Sequence, residues 1–541
     1  MTDARAAPFR LGLESLTPAR MVELLDEPTA RLVLEPGVAR RLDEGFEALE
    51  TAMARAAEGG PPVYGATTGF GGNAASPDAP SNDVGPDSPG ARKPGPHDHR
   101  PATPEGLQLR LARYLDSGSG DPLPHRVARG VVLARAHVLA RGASGVRSEV
   151  VLRLVDLFHA GIAPVIPRYG SLGASGDLVS LAPLARLLGG EEVASLAAPE
   201  PGGPPRFTPG PAALAAAGIL PIELRGRDTL ALVNGLSGVA TVTALLLVEA
   251  RNLVAWSVAG TAATGWALGA RIEAWGPEVN GPPLRLHRGQ GQVSAALRAW
   301  LSGSKPVFPN VSPGLQDPYA LRCVPQLLAP GEEMLELFDG WLVAELDGVS
   351  DNPVPGASPG AYLSGGNFFG GYVVQAADGT AGVLARMGDL LERQTFLLVD
   401  GRRGLPANLV PPGLPPLRHG LKGVHQAASA LAMELQRGAL PAAPFARSAE
   451  GHNQDVVSNA MNAATSLADQ VDRAAALVAG HAALAAQAVE LRPESMGPPL
   501  RAWHAAIRRH VPFVHDDTPL REPLEALATA LRHRTAPSDR K

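Results

Sequence analysis

Two uncharged runs constrain this chain more than any other feature. Residues 230–248 make 19 consecutive positions without a formal charge, and residues 253–270 make another 18, with only Glu249-Ala250-Arg251-Asn252 between them. Either run is long enough to cross a bilayer as a helix. Both are also rich in Ala, Gly, Ser and Thr, which suits helices that are apolar all round because other helices surround them. The expectation is therefore a soluble bundle with buried central helices and no membrane partner, against a membrane hairpin as the competing outcome.

The remainder points to the same fold class. Residues 124–142, 334–346, 427–440 and 457–491 repeat apolar positions near every 3.6 residues and are rich in Ala, Leu and Glu. Strand-like alternation is scarce, so the chain reads as mainly α. Apolar residues make up 45% of the 541, enough for a large core. A net charge of −5 supplies no field for a polyanion, which excludes nucleic acid as the expected partner. The one cysteine, Cys323, excludes an internal disulfide and a multi-thiolate metal site. Residues 1–20 are charged throughout and show no secretory signal, so a cytoplasmic location is expected. Residues 73–104 hold eight prolines and Val84 as their one large aliphatic residue, the composition of a mobile surface loop. Residues 197–221 read as a second Pro/Gly-rich loop.

The stretch Gly170-Ser171-Leu172-Gly173-Ala174-Ser175-Gly176-Asp177-Leu178 is the most informative for chemistry. One reading is a glycine-rich turn leading into a helix. In the other, a tight turn brings the Gly176 amide nitrogen onto the Ala174 carbonyl carbon and closes a five-membered ring. Gly176 has no Cβ to obstruct that approach. Loss of water from the ring and from Ser175 would leave an exocyclic alkene, an electrophile no standard side chain supplies.

On these residues the segment resembles the signature of the histidine, phenylalanine and tyrosine ammonia-lyases and the related aminomutases, whose prosthetic group is 4-methylideneimidazole-5-one (MIO). Five further runs resemble the same family in order: Tyr64-Gly65-Ala66-Thr67-Thr68-Gly69-Phe70-Gly71, Leu230-Ala231-Leu232-Val233-Asn234-Gly235, Gln316-Asp317-Pro318-Tyr319-Ala320-Leu321-Arg322-Cys323, Ser350-Asp351-Asn352-Pro353, and Gly365-Gly366-Asn367-Phe368. The resemblance implies a long central helical bundle (residues 226–541) joined to an N-terminal part (1–225) that carries the MIO loop. It also implies a homotetramer with sites shared between subunits, and MIO formed from Ala174, Ser175 and Gly176 without a metal.

The resemblance further implies roles. Tyr64 is the expected base for the β-proton; an unperturbed tyrosine titrates near ~10, so it needs nearby positive charge or dipoles. Arg322 is expected to fork onto the substrate carboxylate. Tyr319 and Asn234 are expected beside the prosthetic group, and Asn352 and Phe368 in the lining. Tyr114 and Leu115 stand at the family's ring-selecting pair, and Tyr114 is an aromatic with a hydroxyl to offer. The run from Ser448 to Asp455 includes Glu450 and Gln454, and resembles that of the phenylalanine and tyrosine enzymes. Histidine enzymes are expected to carry Glu where Gln454 stands, so histidine is disfavoured.

The chain also departs from the pattern. Arg227-Asp228-Thr229 replaces Lys-Glu-Gly, Leu236 replaces Thr, Phe369 follows Phe368, Asp347 stands for Asn, and residues 71–107 are longer than usual. A long, mobile lid favours release of ammonia over its return to the substrate. The expected activity is non-oxidative deamination of a phenylalanine- or tyrosine-like amino acid. A 2,3-aminomutase with the same residues and a catalytically silent helical scaffold are the alternatives.

Overall fold

The structure is a computed structural model that describes residues 7–68, 71, 104–173, 177–197, 205–306, 315–358, 360–413 and 417–536. It is mainly α, as the periodicity predicts. The four helices read from apolar spacing occur as His125–Leu139, Val324–Asp347, Lys422–Gly438 and Ala460–Glu490. The second begins ten residues before its predicted start and accommodates Pro330 in its interior.

Contacts divide the chain into two units. The first comprises Met1–Leu245, Trp341–Gln375 and Ala442–Ala464. In its core, helix His125–Leu139 buries eleven of its fifteen residues, Arg135 and His137 among them. Helix Pro36–Ala57 adds a stripe of Val38, Leu42, Phe46, Leu49 and Ala52, spaced three and four apart as one helix face requires. A three-stranded antiparallel sheet joins Ile162–Pro164, Ala194–Ala197 and Arg206–Pro209, with Leu196 opposite Ala163 on one side and Phe207 on the other. Part of the expected loop 197–221 is thus ordered: after strand Arg206–Pro209, Pro211 lies in the first turn of helix Gly210–Ala216, where a missing N–H is harmless.

The second unit comprises Leu246–Gly340, Ala376–Pro441 and Thr465–Lys541. Helix Lys422–Gly438 buries Val424, Ala428, Ala432 and Leu435. Helix Pro498–Arg508 buries Leu500, Trp503, Ala506 and Ile507.

The uncharged runs resolve differently from a hairpin. Helix Asp228–Val233 ends at Asn234, and Gly235 takes a φ of 146° that releases the chain into helix Ser237–Ala267. That helix continues through the charged separator, where Glu249 accepts from Nε and NH2 of Arg532 at 2.8 and 2.6 Å. The span from Asp228 to Ala267 is long and apolar enough to cross a membrane, yet 94% of its most apolar window is buried inside the protein.

Candidate active site

A cavity of about 300 Å³ opens in the first unit. Seven of the residues named from sequence line it: Tyr64, Tyr114, Asn234, Asn352, Phe368, Glu450 and Gln454. Helix Pro104–Leu115 brings Tyr114 to the lining and, one turn earlier, Leu111; Leu115 points into the core and is 6% exposed. The break after helix Asp228–Val233 places Asn234, and Leu230 lies one turn before it on the same face. Phe369, a departure from the family pattern, adds its ring to the lining beside Phe368.

The tripeptide 174–176 lies outside the described residues, as do residues 73–103 of the Pro-rich stretch; Pro104 begins helix Pro104–Leu115. The flanks of the tripeptide are described. Leu178 lines the cavity. The Asp177 N–H donates to the Gly235 carbonyl at 2.8 Å, and the Gly173 carbonyl accepts from the Ser458 hydroxyl at 2.7 Å. Ser171 Oγ accepts from the Gly173 N–H at 3.2 Å and donates to Asp177 Oδ1 at 3.4 Å, joining one flank to the other. Burial pushes the Asp177 carboxyl up to about 7, against the opposing pull of the Val239 N–H bond. Both flanks are therefore fixed beside the cavity, which fits a group built from residues 174–176.

The departures find partners around this wall. Arg227 is fully buried; its guanidinium donates to the Ser144 and Asn352 carbonyls at 3.0 and 2.9 Å and pairs with Asp351 at 3.5 Å. Asn234 Nδ2 donates to Asp351 Oδ1 and to the Asn352 carbonyl, both at 3.0 Å. The Thr229 N–H donates to Gln108 Oε1 at 3.1 Å, while Gln108 Nε2 donates to the Gly226 carbonyl at 2.8 Å. Gln108 thereby ties the helix bearing Tyr114 to the segment bearing Asn234. Asp347 does not line the cavity. Its carboxylate accepts from the Ser15 hydroxyl at 2.6 Å, the Leu16 N–H at 2.8 Å and His137 Nε2 at 3.0 Å, with Arg141 at 3.3 Å. His137 Nδ1 accepts from the Gly12 N–H at 3.2 Å, so the neutral ring carries its proton on Nε2, towards Asp347.

At the expected base, Tyr64 Oη accepts the Gly71 N–H at 2.8 Å. Burial raises the Tyr64 phenol above its ordinary value; the Gly71 bond and the charge of Arg227 pull it down, and the Glu450 carboxylate pushes it up, with a net rise. Burial, Glu450 and Tyr64 raise Tyr114 in the same way. Glu450 is held by Asn453 Nδ2 at 3.0 Å and Gln454 Nε2 at 3.2 Å. Gly71 lies so close that a Cβ there would fall 1.8 Å from Glu450 Oε1.

Tyr319 and Arg322 belong to the second unit, on helix Tyr319–Arg322, and are not among the residues lining the cavity. The Arg322 guanidinium carbon stands 4.6 Å from the centre of the Tyr319 ring, which is 68% exposed. Sequence reasoning missed Leu111, Leu178, Leu230, Ser364, Phe369, Asn453 and Val456. Several lie within or next to the quoted motifs, so helical spacing from Tyr114 and Asn234 was the available signal for Leu111 and Leu230.

The profile described as "Aromatic amino acid lyase" matches residues 16–509. A tyrosine ammonia-lyase of Cereibacter sphaeroides is 35% identical over 535 residues, covering 93% of each chain. A histidine ammonia-lyase of Anaeromyxobacter dehalogenans is 35% identical over 433 residues, 78% of this chain and 84% of that one. Among solved structures, the tyrosine aminomutase of Streptomyces globisporus has a TM-score of 0.83 at 28% identity, covering 97% of each chain. The Pantoea agglomerans phenylalanine aminomutase has a TM-score of 0.85 at 25% identity, covering 97% of this chain and 99% of its own. The chain therefore belongs to the aromatic amino acid lyase family.

Proposed function

We propose that this enzyme eliminates ammonia from a phenylalanine- or tyrosine-like L-amino acid to give the arylacrylate. The observation that carries the reading is a phenol, Tyr64, lining the same cavity as Leu178 and Asn234, beside the fixed flanks of the tripeptide. An MIO group made from Ala174, Ser175 and Gly176 would be held by Gly173, Asp177 and Gly235, and would supply an electron-poor alkene that makes the amino nitrogen a leaving group.

The protein's own side chains do the rest. The aromatic ring packs against Leu111, Leu230, Phe368, Phe369 and Val456, an apolar wall suited to a benzene ring. Tyr64 Oη, as the phenolate, takes the β-proton; the C–H electron pair becomes the new double bond, and the Cα–N pair leaves on the nitrogen, which departs as ammonia. Arg322 holds the carboxylate, in a homotetramer whose sites draw on several subunits. Asn234 could donate to the prosthetic oxygen only by exchanging one of its bonds to Asp351 or Asn352. Gln454 is neutral and offers no charge to an imidazole ring. The relatives include histidine and tyrosine enzymes at 35% identity, so the cavity residues carry this choice of substrate.

The second reading is a 2,3-aminomutase, favoured by the likeness to two solved aminomutases. Purified enzyme incubated with phenylalanine, tyrosine and histidine separates these outcomes. Arylacrylate absorbance from the first two, lost in Ser175→Ala, is expected. β-Amino products found by chiral chromatography would establish the aminomutase, and turnover of histidine alone would overturn the substrate assignment.

A further inference from the structure

We infer that the buried pair Arg403–Asp317 aims Arg322 at the substrate carboxylate, which makes Arg403 a positioning residue of the reaction. The inference rests on the reading that Arg322 binds that carboxylate.

Helix Tyr319–Arg322 has four residues, too few to hold themselves helical in isolation. Buried side chains of the second unit hold it instead. Trp275 Nε1 donates to the Leu321 carbonyl at 2.8 Å, and Gln394 Nε2 donates to the Ala320 carbonyl at 2.9 Å. Gln394 is itself fixed by the Thr261 hydroxyl on its Oε1 at 3.0 Å. At the entry to the helix, Asp317 accepts from the Arg271 N–H at 2.6 Å and from Arg403 NH1 at 2.9 Å. The side chains of Arg403 and Asp317 are 5% and 2% exposed, so each charge depends on the other.

Arg403 is held in a conformation that a side chain seldom adopts. Its φ is 57°, in the left-handed region, between Gly401 at 74° and Gly404 at 71°. Arg492 fixes that turn, donating to the carbonyls of Arg403, Gly404 and Ala267. A chain of bonds therefore runs from Arg492, just past helix Ala460–Glu490, through the buried Arg403–Asp317 pair to the residue before the N-cap of the short helix. Downstream, Arg322 lies over the Tyr319 ring, and its Nε is buried without a hydrogen-bond partner among the described residues. Its guanidinium is thus aimed by its backbone and left for an incoming anion.

The test compares two competitive ligands, an arylacrylate that carries the carboxylate and an arylethylamine that lacks it. Arg403→Gln is expected to raise KM and the arylacrylate inhibition constant about tenfold or more, with kcat little changed, the signature of lost ground-state binding. Arylethylamine binding should stay as in the parent enzyme. The double change R403M/D317L removes both buried charges together, guards against unfolding and carries the same expectation. Arg322→Lys is the control. If it loses no preference for the carboxylate, the reading of Arg322 itself fails. If it does lose that preference while a folded Arg403 variant keeps it, or if the Arg403 variant weakens both ligands equally, the inference is overturned.

Discussion

Tyr64 lies between two influences of opposite sign: the Gly71 N–H and the Arg227 guanidinium lower its pKa, and burial and the Glu450 carboxylate raise it. A phenol must lose its proton before it can accept one, so activity should rise with pH through the alkaline range. Glu450→Gln removes a negative charge and should move that alkaline limb to lower pH in a pH–rate profile. A limb that stays in place or moves up would remove Glu450 from control of the base. At this scale the motifs named seven residues that share one cavity, while Tyr319 and Arg322, from a motif of their own, are not among its lining. It was blind to side chains such as Arg403 and Gln108, because an arginine or glutamine in a sequence gives no sign of which buried carbonyl or carboxylate it will meet.

At the level of elements, the 3.6 periodicity located the long helices, and errors fell where proline had two possible meanings. Pro330 lies within a helix, and Pro209 and Pro211 flank the start of another. Close approach between elements was not legible at all. Gly265, in helix Ser237–Ala267, lies against the buried Trp275 indole, where a Cβ would meet Cη2 at 2.4 Å. Alanine is the better helix former by about 1 kcal/mol, yet overpacking costs about 1–3 kcal/mol. Gly265→Ala should therefore lower stability in a denaturant titration. A gain would mean that the indole yields freely.

Across the whole molecule, Asp347 joins positions far apart in the chain; its partner Ser15 lies 332 residues away. Burial raises its carboxyl, but bonds from His137, the Leu16 N–H and Ser15 outweigh this and hold it well below the usual carboxylate range. A depressed pKa gives stability that is present above the unfolded value of ~3.9 and is lost as pH falls towards the folded one. Asp347→Asn should cost about 2 kcal/mol near neutral pH, the scale of a bond to a charged group. Melting curves of the two proteins should converge as the medium becomes acidic, and a constant gap would refute the linkage. From sequence, Asp347 was only a departure from the asparagine of the family pattern. Its part in a latch for the first turns of the chain depends on residues that only folding brings together.

The long buried helix also matters for how the protein is made. Thr264 bonds to His481, 217 residues later, and Glu249 to Arg532, 283 residues later. At a ribosomal pace of ~10 residues per second, this greasy segment waits roughly 20–30 s for those partners. During that interval the nascent chain exposes a stretch resembling a membrane anchor in composition.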